Sequence, residues 1–161
     1  MPQQIPCLWF DGQAEQAAEH YVSIFPNSSI GDITRYGPDM PPPMEEGDVL
    51  TVQFFLDGQE YVGLNGGPQF PFTEAISIQI MCNDQEEADH YWNRLTEGGE
   101  ESMCGWLKDK FGVSWQVFPE ELIALTSDAD PGRAQRATQA MLQMRRIDVA
   151  EVRRAADQVT V

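Results

Sequence analysis

The chain has 161 residues, and 42% of them are hydrophobic, which is the composition of a folded globular protein. Its formal net charge is −16. An acidic surface of this kind repels phosphate backbones and anionic membranes, so neither nucleic acid nor a membrane is expected as a partner. The three cysteines lack CxxC spacing, which disfavours a disulfide framework or structural zinc site and favours the cytoplasm. Buried, unreactive cysteine is the default expectation for each of them.

The first elements in the chain predict a strand followed by a helix. Residues 5–10 form a short apolar run that reads as a buried strand. Asp11 is a plausible helix N-cap, and Pro26 and Asn27 predict the end of the helix near residue 25. Three strand candidates follow: 28–36, 49–56 and 60–65. Asp57 and Gly58 predict a tight hairpin between the last two, and the Pro-rich, acidic stretch 37–48 predicts a loop.

The same order of elements returns in the second part of the chain. Residues 75–81 alternate as a strand does, and Asn83 with Glu86 forms a capping-box pattern before a predicted helix at 84–96. Shorter strand-like pieces follow at 100–104, 105–109 and 114–118. Each half therefore reads as a strand, a helix and three strands.

The two histidines lie in matching four-residue patterns, AEHY at 18–21 and ADHY at 88–91. On helices with about 100° per residue, His20 and His90 fall off the apolar stripes, whereas Tyr21 and Tyr91 fall on them. We therefore expect the repeat to record how a helix packs on a sheet, with buried tyrosines, and not a pair of metal ligands.

The last part of the chain predicts helices and carries a different charge. Asp130 followed by Pro131 is a helix start signal, and Asp148 begins a second short helix. Residues 1–130 carry four basic and 23 acidic side chains, giving −19, whereas residues 131–161 carry six basic and three acidic ones, giving +3. This basic face is either simply solvated or docks onto the acidic body of the same or a partner subunit.

Several stretches make the family recognisable. The segments WFDGQAEQAAEHYVSIFPNSSI (9–30), DKFGVSWQVFP (109–119) and AMLQMRRIDVAEVRRAA (140–156) resemble the PhnB-like subgroup of the vicinal-oxygen-chelate superfamily, a subgroup often labelled 3-demethylubiquinone-9 3-methyltransferase. The resemblance implies the glyoxalase/bleomycin-resistance/dioxygenase fold, an α+β fold in which two βαβββ modules form a curved mixed sheet, here followed by C-terminal helices. The predicted boundaries are 1–66 for the first module, 67–120 for the second and 121–161 for the helical extension.

The resemblance also indicates where a metal would bind in catalytic members of the superfamily. The matching positions are Pro6 or Cys7, Gly63 or Asn65, a position near Ser77, and Gln116. None of these is His, Asp or Glu, so neither a metal nor any other cofactor is expected. The glycines of GLNGG (63–67) precede a proline and aromatic residues with no helix in reach, which predicts a turn and not an S-adenosylmethionine loop.

The strand candidates each have one apolar and one mixed face. Hydroxyl, carboxamide, aromatic and thioether side chains alternate with aliphatic ones in the strands at 49–56, 60–65, 75–81 and 114–118. The mixed face suits a neutral or amphipathic ligand in a concave cavity, although an ordinary half-solvated sheet gives the same pattern. The predicted ligand-binding residues are Gln53, Asn65, Ser77, Gln79 and Gln116.

Three functions stay open from the sequence. The leading hypothesis is a metal-free, homodimeric protein that binds a small, neutral organic molecule, as bleomycin-resistance members do by resemblance. The second is an enzyme, either a methyltransferase as the label has it or a metal-dependent lyase or dioxygenase. The third is an interaction module in which the duplicated fold and the basic tail serve assembly alone.

Overall fold

The chain forms two compact units, Met1–Phe72 and Thr73–Val161. A computed structural model describes residues 1–158, so residues 159–161 of the predicted extension lie outside the described residues. The first unit contains β1 (Cys7–Phe10), α1 (Ala14–Ile24), β2 (Ser29–Arg35), β3 (Val49–Leu56) and β4 (Gln59–Asn65). The second contains β5 (Ile78–Cys82), α2 (Gln85–Thr96), β6 (Glu100–Glu101), β7 (Trp106–Lys108), β8 (Ser114–Pro119), α3 (Glu120–Thr126), α4 (Pro131–Met141) and α5 (Val149–Asp157).

Each unit has its own mixed four-stranded sheet. The strand order is β1-β4-β3-β2 in the first and β5-β8-β7-β6 in the second. In each sheet the strand before the helix pairs in parallel with the last strand of the unit, and the other pairings are antiparallel. The predicted α+β class, the two βαβββ modules and the C-terminal helices are thereby confirmed, with a separate sheet in each unit.

The first helix packs its predicted stripe on β3 and β4. Tyr21 is fully buried, and its ring lies 6.0 Å from that of Phe54, measured between centroids. Phe54 in turn stacks on Tyr61 at 5.4 Å. Gly63 lets the helix approach closely, because a Cβ atom there would lie 3.1 Å from the Cβ of Ala14. The buried tyrosine expected from the AEHY pattern is therefore present.

Helix α2 confirms the second predicted stripe, since its buried residues are Ala88, Tyr91, Trp92 and Leu95. Its capping residues are shifted by one position from the predicted pair: Asp84 is the N-cap and accepts a hydrogen bond from the backbone N–H of Glu87. The shift follows from short-range competition, because Asn83 and Asp84 are both good capping residues and only one can precede the first turn.

Two predictions for the second unit's strands are wrong in detail. Strand β5 begins at Ile78 instead of residue 75, and Ile76, expected on the helix-facing side, is 74% exposed. The predicted strand at 100–104 is limited to Glu100–Glu101. By contrast, the Asp57–Gly58 hairpin is confirmed: both residues have positive φ, 46° and 88°, as a type I′ turn requires.

Within the second unit, the C-terminal helices pack against the end of β8 through an apolar cluster. Phe118 at the end of β8 contributes to it together with buried residues of the extension: Leu122, Leu125, Ala137, Ile147, Val149, Val152 and Ala156. Helix α3 has no predicted counterpart, whereas the N-caps Asp130 and Asp148 are confirmed. Within residues 1–158, no helix has both the length and the apolar character needed to cross a membrane.

The basic residues of the extension dock in part on the acidic second unit. Arg146 binds Asp89 of α2, and Arg153 binds Glu121 of α3. Both pairs are partly exposed, so each contributes little to stability. The apolar cluster therefore provides most of the stabilisation of these helices.

Candidate functional site

Each sheet has one face that the helix of its βαβββ module covers and a second face, called here the open face, that this helix leaves uncovered. In the second sheet this open face is covered in part, because Ser114 and Phe118 on it are buried. In the first unit, the open face of β3 carries Thr51, Gln53 and Phe55, all half-buried, in alternation with the buried Val52, Phe54 and Leu56. The amide of Gln53 is engaged at both ends: its Oε1 accepts from the Asp32 backbone N–H at 3.0 Å, and its Nε2 donates to Glu60 at 3.2 Å. Gln53 thus lies on the predicted face, beside a carboxylate that the prediction left out.

Asn65 lies on the opposite side of the sheet from the prediction. Tyr61, Gly63 and Asn65 are buried and face α1, whereas Val62 and Leu64 share the open face with Gln53. Gly63 has no side chain, which lets the start of α1 approach this side of β4 closely. The sequence predicts Asn65 on the mixed, polar face because its side chain is polar. In the structure its amide makes hydrogen bonds on the helix-covered side of the sheet.

The side chain of Asn65 caps helix α1 from a distance. Its Oδ1 accepts a hydrogen bond from the backbone N–H of Ala14 at 2.9 Å, and its Nδ2 donates to the carbonyl of Val49 at 3.1 Å. The predicted N-cap Asp11 does not fill this role, and the N-cap residue Gln13 makes no capping bond through its side chain. A strand residue thereby satisfies a helix N–H that would otherwise lack a partner.

Asn65 also borders an open cleft of about 390 Å³ in the first unit. Tyr36 forms part of the wall, and its hydroxyl donates to the Asn65 carbonyl. The charged residues of the lining are all acidic: Asp11, Glu15 and Asp48. This cleft differs in character from the uncharged site that the sequence predicts.

The structure brings together the three predicted residues of the second unit. Gln79 and Gln116 are neighbours across the parallel β5–β8 pairing. Gln116 donates through Nε2 to the hydroxyl of Ser77 at 2.8 Å, and Gln79 donates to Gln116 Oε1 at 3.4 Å. Trp115 and Val117 point to the other side and are buried, so this row of neutral polar groups lies on the open face.

Two residues of this open face were not predicted. Trp106 pairs with Gln116, and Lys108 pairs with Ser114, so all four lie on the same side of the sheet while Leu107 is buried on the other. Strand β7 has only three residues, too few for an alternation that a sequence pattern can detect. Lys108 forms an ion pair with Glu74.

A known family matches most of this chain. The family model described as 3-demethylubiquinone-9 3-methyltransferase matches residues 2–118. The chain belongs to this PhnB-like family.

A solved structure that is more than 30% identical supports this assignment. The PhnB protein of Bacillus cereus, provisionally described as a 3-demethylubiquinone-9 3-methyltransferase, is 35% identical, with 73% of this chain and 99% of that one covered and a TM-score of 0.66. Protein PA1353 of Pseudomonas aeruginosa is 22% identical over 74% and 98%, with a TM-score of 0.63. The fosfomycin resistance protein FosX of Listeria monocytogenes, complexed with Mn(II) and sulfate, is 19% identical over 71% and 88%, with a TM-score of 0.45. No curated protein matches the chain.

The residues of this PhnB-like chain do not fit the divalent metal of the superfamily's catalytic members. The amide of Asn65 is bound to backbone groups on the helix side, and the Gln116 amide is bound to the Ser77 hydroxyl. Carboxylate, imidazole or thiolate ligands are the usual choice for such ions. Among residues 1–158, no three His, Cys, Asp or Glu side chains are grouped to hold a metal ion, and neither His20 nor His90 belongs to such a group.

The glycines at 66–67 also do not form the phosphate- or nucleoside-binding loop of a doubly wound methyltransferase. Strand β4 ends at Asn65, and the chain then turns without a helix until β5. The ring of Trp9 fills the space beside Gly66, where a Cβ atom would lie 2.2 Å from Trp9 Cζ2. The predicted turn is therefore confirmed, and the loop packs against an indole ring.

Proposed function

We propose that this PhnB-like protein binds a small organic molecule on the open face of its second sheet, without a metal. The observation that carries the proposal is the hydrogen-bonded row of Ser77, Gln116 and Gln79 beside the half-buried Trp106. Neutral donors and acceptors next to an aromatic ring are the usual lining of a site that orients an uncharged polar group of a ligand.

The existing hydrogen bonds in this row favour exchange with a ligand. The contact between Gln79 and Gln116 is long, at 3.4 Å, and Gln79 is exposed. A ligand amide, carbonyl or hydroxyl could replace it at little cost, because each glutamine keeps one donor and one acceptor that can turn outward. Of the predicted residues in the first unit, Gln53 is bonded at both ends of its amide and Asn65 supports the wall of that unit's own cleft.

The proposal includes a homodimer in the cytoplasm. Large apolar side chains stay exposed in each unit, with Phe70 at 65% and Ile76 at 74%, and exposed apolar groups of this size support an interface between copies. The three cysteines are all free thiols, in agreement with a reducing compartment.

Ligand screening by thermal shift tests the binding function. Neutral aromatic amides and quinones should raise the melting temperature of the wild type, and Gln116→Leu should remove the effect. Gln139→Leu is the matched control, because Gln139 is exposed on α4. Elemental analysis should find no stoichiometric nickel, zinc, manganese or iron. About one metal per chain, lost in Gln116→Leu, would move the protein to the metal-dependent enzymes.

The methyltransferase hypothesis has its support in the family description. It requires S-adenosylmethionine to bind, either alone or with an acceptor quinone. Isothermal titration of the protein with S-adenosylmethionine is expected to give no heat of binding, because the Gly66–Gly67 turn offers no helix N-terminus for the cofactor. A saturable isotherm with a stoichiometry near one would favour the methyltransferase instead.

A further inference from the structure

Lys108 is one of the few positively charged side chains in an acidic part of the chain. It is one of only two lysines in the sequence, and residues 1–130 contain just four basic side chains against 23 acidic ones. Its strand position places it on the open face of the second sheet, two residues from Trp106, which is about 7 Å along a strand. A positive charge thus stands at the edge of the neutral row formed by Ser77, Gln116 and Gln79.

Lys108 is paired with Glu74, an exposed side chain that another anion can displace. Glu74 is 62% exposed and lies in the irregular segment before β5. Its carboxylate binds the Lys108 ammonium directly, and this hydrogen bond, more than any other influence, lowers the pKa of Glu74 and raises that of Lys108. An exposed ion pair contributes little to stability, so a second carboxylate can compete with Glu74 for the lysine.

A buried hydroxyl without a hydrogen-bond partner lies on the strand next to Lys108. Ser114 faces Lys108 across the β7–β8 pairing and is only 2% exposed. Within the part of the chain that the structure describes, its Oγ is buried and makes no hydrogen bond. A buried hydroxyl of this kind costs free energy, and its residue is the register partner of Lys108, an arrangement that suits an oxyanion accepting from both groups.

We propose that the ligand of the second unit carries a carboxylate, which replaces Glu74 on Lys108 and accepts a hydrogen bond from Ser114. This inference rests on the proposed binding function and adds the chemical class of the ligand: an aromatic or otherwise apolar carboxylic acid. Its apolar body packs on Trp106, and any uncharged polar substituent meets Gln116 and Gln79. Glu74 acts as an internal competitor that occupies the lysine when no ligand is bound.

Glu100 provides a sharp control for this mechanism. It pairs with Lys108 on the other side of strand β7, and its charge also raises the pKa of Lys108, but only as a minor contribution. Glu74→Gln and Glu100→Gln each remove one negative charge near the lysine. Only the first frees the ammonium from a direct partner, so the two variants separate competition from a general charge effect.

The experiment uses benzoate and its neutral isostere benzamide, followed by NMR through the indole N–H signal of Trp106, which Trp106→Phe assigns. Benzoate should bind the wild type more tightly than benzamide, and Lys108→Met should abolish this preference while Lys110→Met leaves it. Glu74→Gln should tighten benzoate binding about tenfold, which corresponds to about 1.4 kcal/mol, and Glu100→Gln by less than about threefold. Ser114→Ala should weaken benzoate binding and leave benzamide binding unchanged.

The outcomes distinguish the inference from the function on which it rests. Equal binding of both probes, or a Glu74→Gln variant that binds benzoate no more tightly than Glu100→Gln does, would refute the carboxylate proposal and leave the binding function standing. A Trp106 signal that responds to neither probe, and an absence of any hit in the thermal-shift screen, would refute both.

Discussion

The two units share one order of elements but start their helices in different ways. Helix α2 is capped by Asp84, the residue just before it, whereas α1 depends on Asn65, which is 51 positions away in the sequence. The start of the second helix is therefore stabilised by a neighbouring residue, and the start of the first by a residue of the sheet. A repeated fold does not require a repeated stabilising contact.

The open faces differ as well. In the first unit the carboxylate of Glu60 lies beside Gln53, whereas in the second unit the ammonium of Lys108, which is paired with Glu74, lies at the edge of the row of Ser77, Gln116 and Gln79. The two faces are thus unequal partners for a ligand, and the second is the one that suits an anionic group. The second unit also carries the C-terminal helices, which lie beyond the residues that the family model matches.

The largest expected effect concerns this addition to the second unit. Ending the chain after Asp130 would uncover Phe118, Leu122 and Leu125, which are now buried against α4 and α5. We expect the free energy of unfolding of the second unit to fall by more than about 4 kcal/mol, because several large apolar side chains lose their cover. Urea unfolding with an exposed-apolar-surface dye measures this.

A milder variant keeps that prediction testable if the shortened chain aggregates. Ile147→Ala removes a side chain that is 1% exposed, whereas Leu142→Ala removes one that is 51% exposed. The first should cost about 2–4 kcal/mol and the second less than about 0.5 kcal/mol. Equal effects would show that the extension is not held by its apolar contacts.

The next effect compares the tyrosines of the two helices. Tyr21 is fully buried and Tyr91 is 6% exposed, so Tyr21→Ala and Tyr91→Ala should each cost about 2–4 kcal/mol of unfolding free energy. His20→Ala and His90→Ala are the neighbouring controls and should cost less than about 1 kcal/mol. A tyrosine variant as stable as its histidine control would contradict the packing role inferred from the AEHY and ADHY patterns.

A smaller effect distinguishes the two ways of capping. Asn65→Ala should cost about 2 kcal/mol, because it removes a buried cap and a second hydrogen bond to Val49. Asp84→Ala should cost about 1 kcal/mol, since its cap is exposed and water can replace it. Hydrogen exchange at the first turns of α1 and α2 measures the local consequence. If Asp84→Ala were the more costly change, the contrast between the two units would be wrong.

The sequence predicts the helices and the hairpin of this fold better than it predicts the contacts between distant residues. Periodicity and capping signals are local, so they placed α1, α2, α4, α5 and the Asp57–Gly58 hairpin. The role of Asn65 depends on β4 packing against the start of α1, and the position of Lys108 depends on a three-residue strand. Neither of these two features gives a periodic pattern in the sequence. The predicted polar face therefore omits Lys108 and wrongly includes Asn65.

The burial of the cysteines is also only partly predicted by the sequence, because only one of the three is buried as expected. Cys82 is fully buried, Cys7 is exposed and Cys104 is intermediate. Burial, with smaller contributions from Glu87 and Asp84, raises the pKa of the Cys82 thiol from 9.0 to about 12. Iodoacetamide at neutral pH should therefore modify Cys7 first and Cys82 only when the second unit opens.

The smallest expected effect follows from that pKa. Between pH 9.0 and about 12 the unfolded chain loses the Cys82 proton while the folded chain keeps it, so the unfolding free energy falls as the pH rises. By pH 10 the loss due to this thiol should be about 1 kcal/mol. Burial also raises the pKa of Tyr61 in the first unit, but that residue is present in both wild type and Cys82→Ala, so it cancels in their difference. The wild type should therefore lose more stability than Cys82→Ala from pH 8 to pH 10, and equal losses would mean that the thiol titrates near its ordinary value.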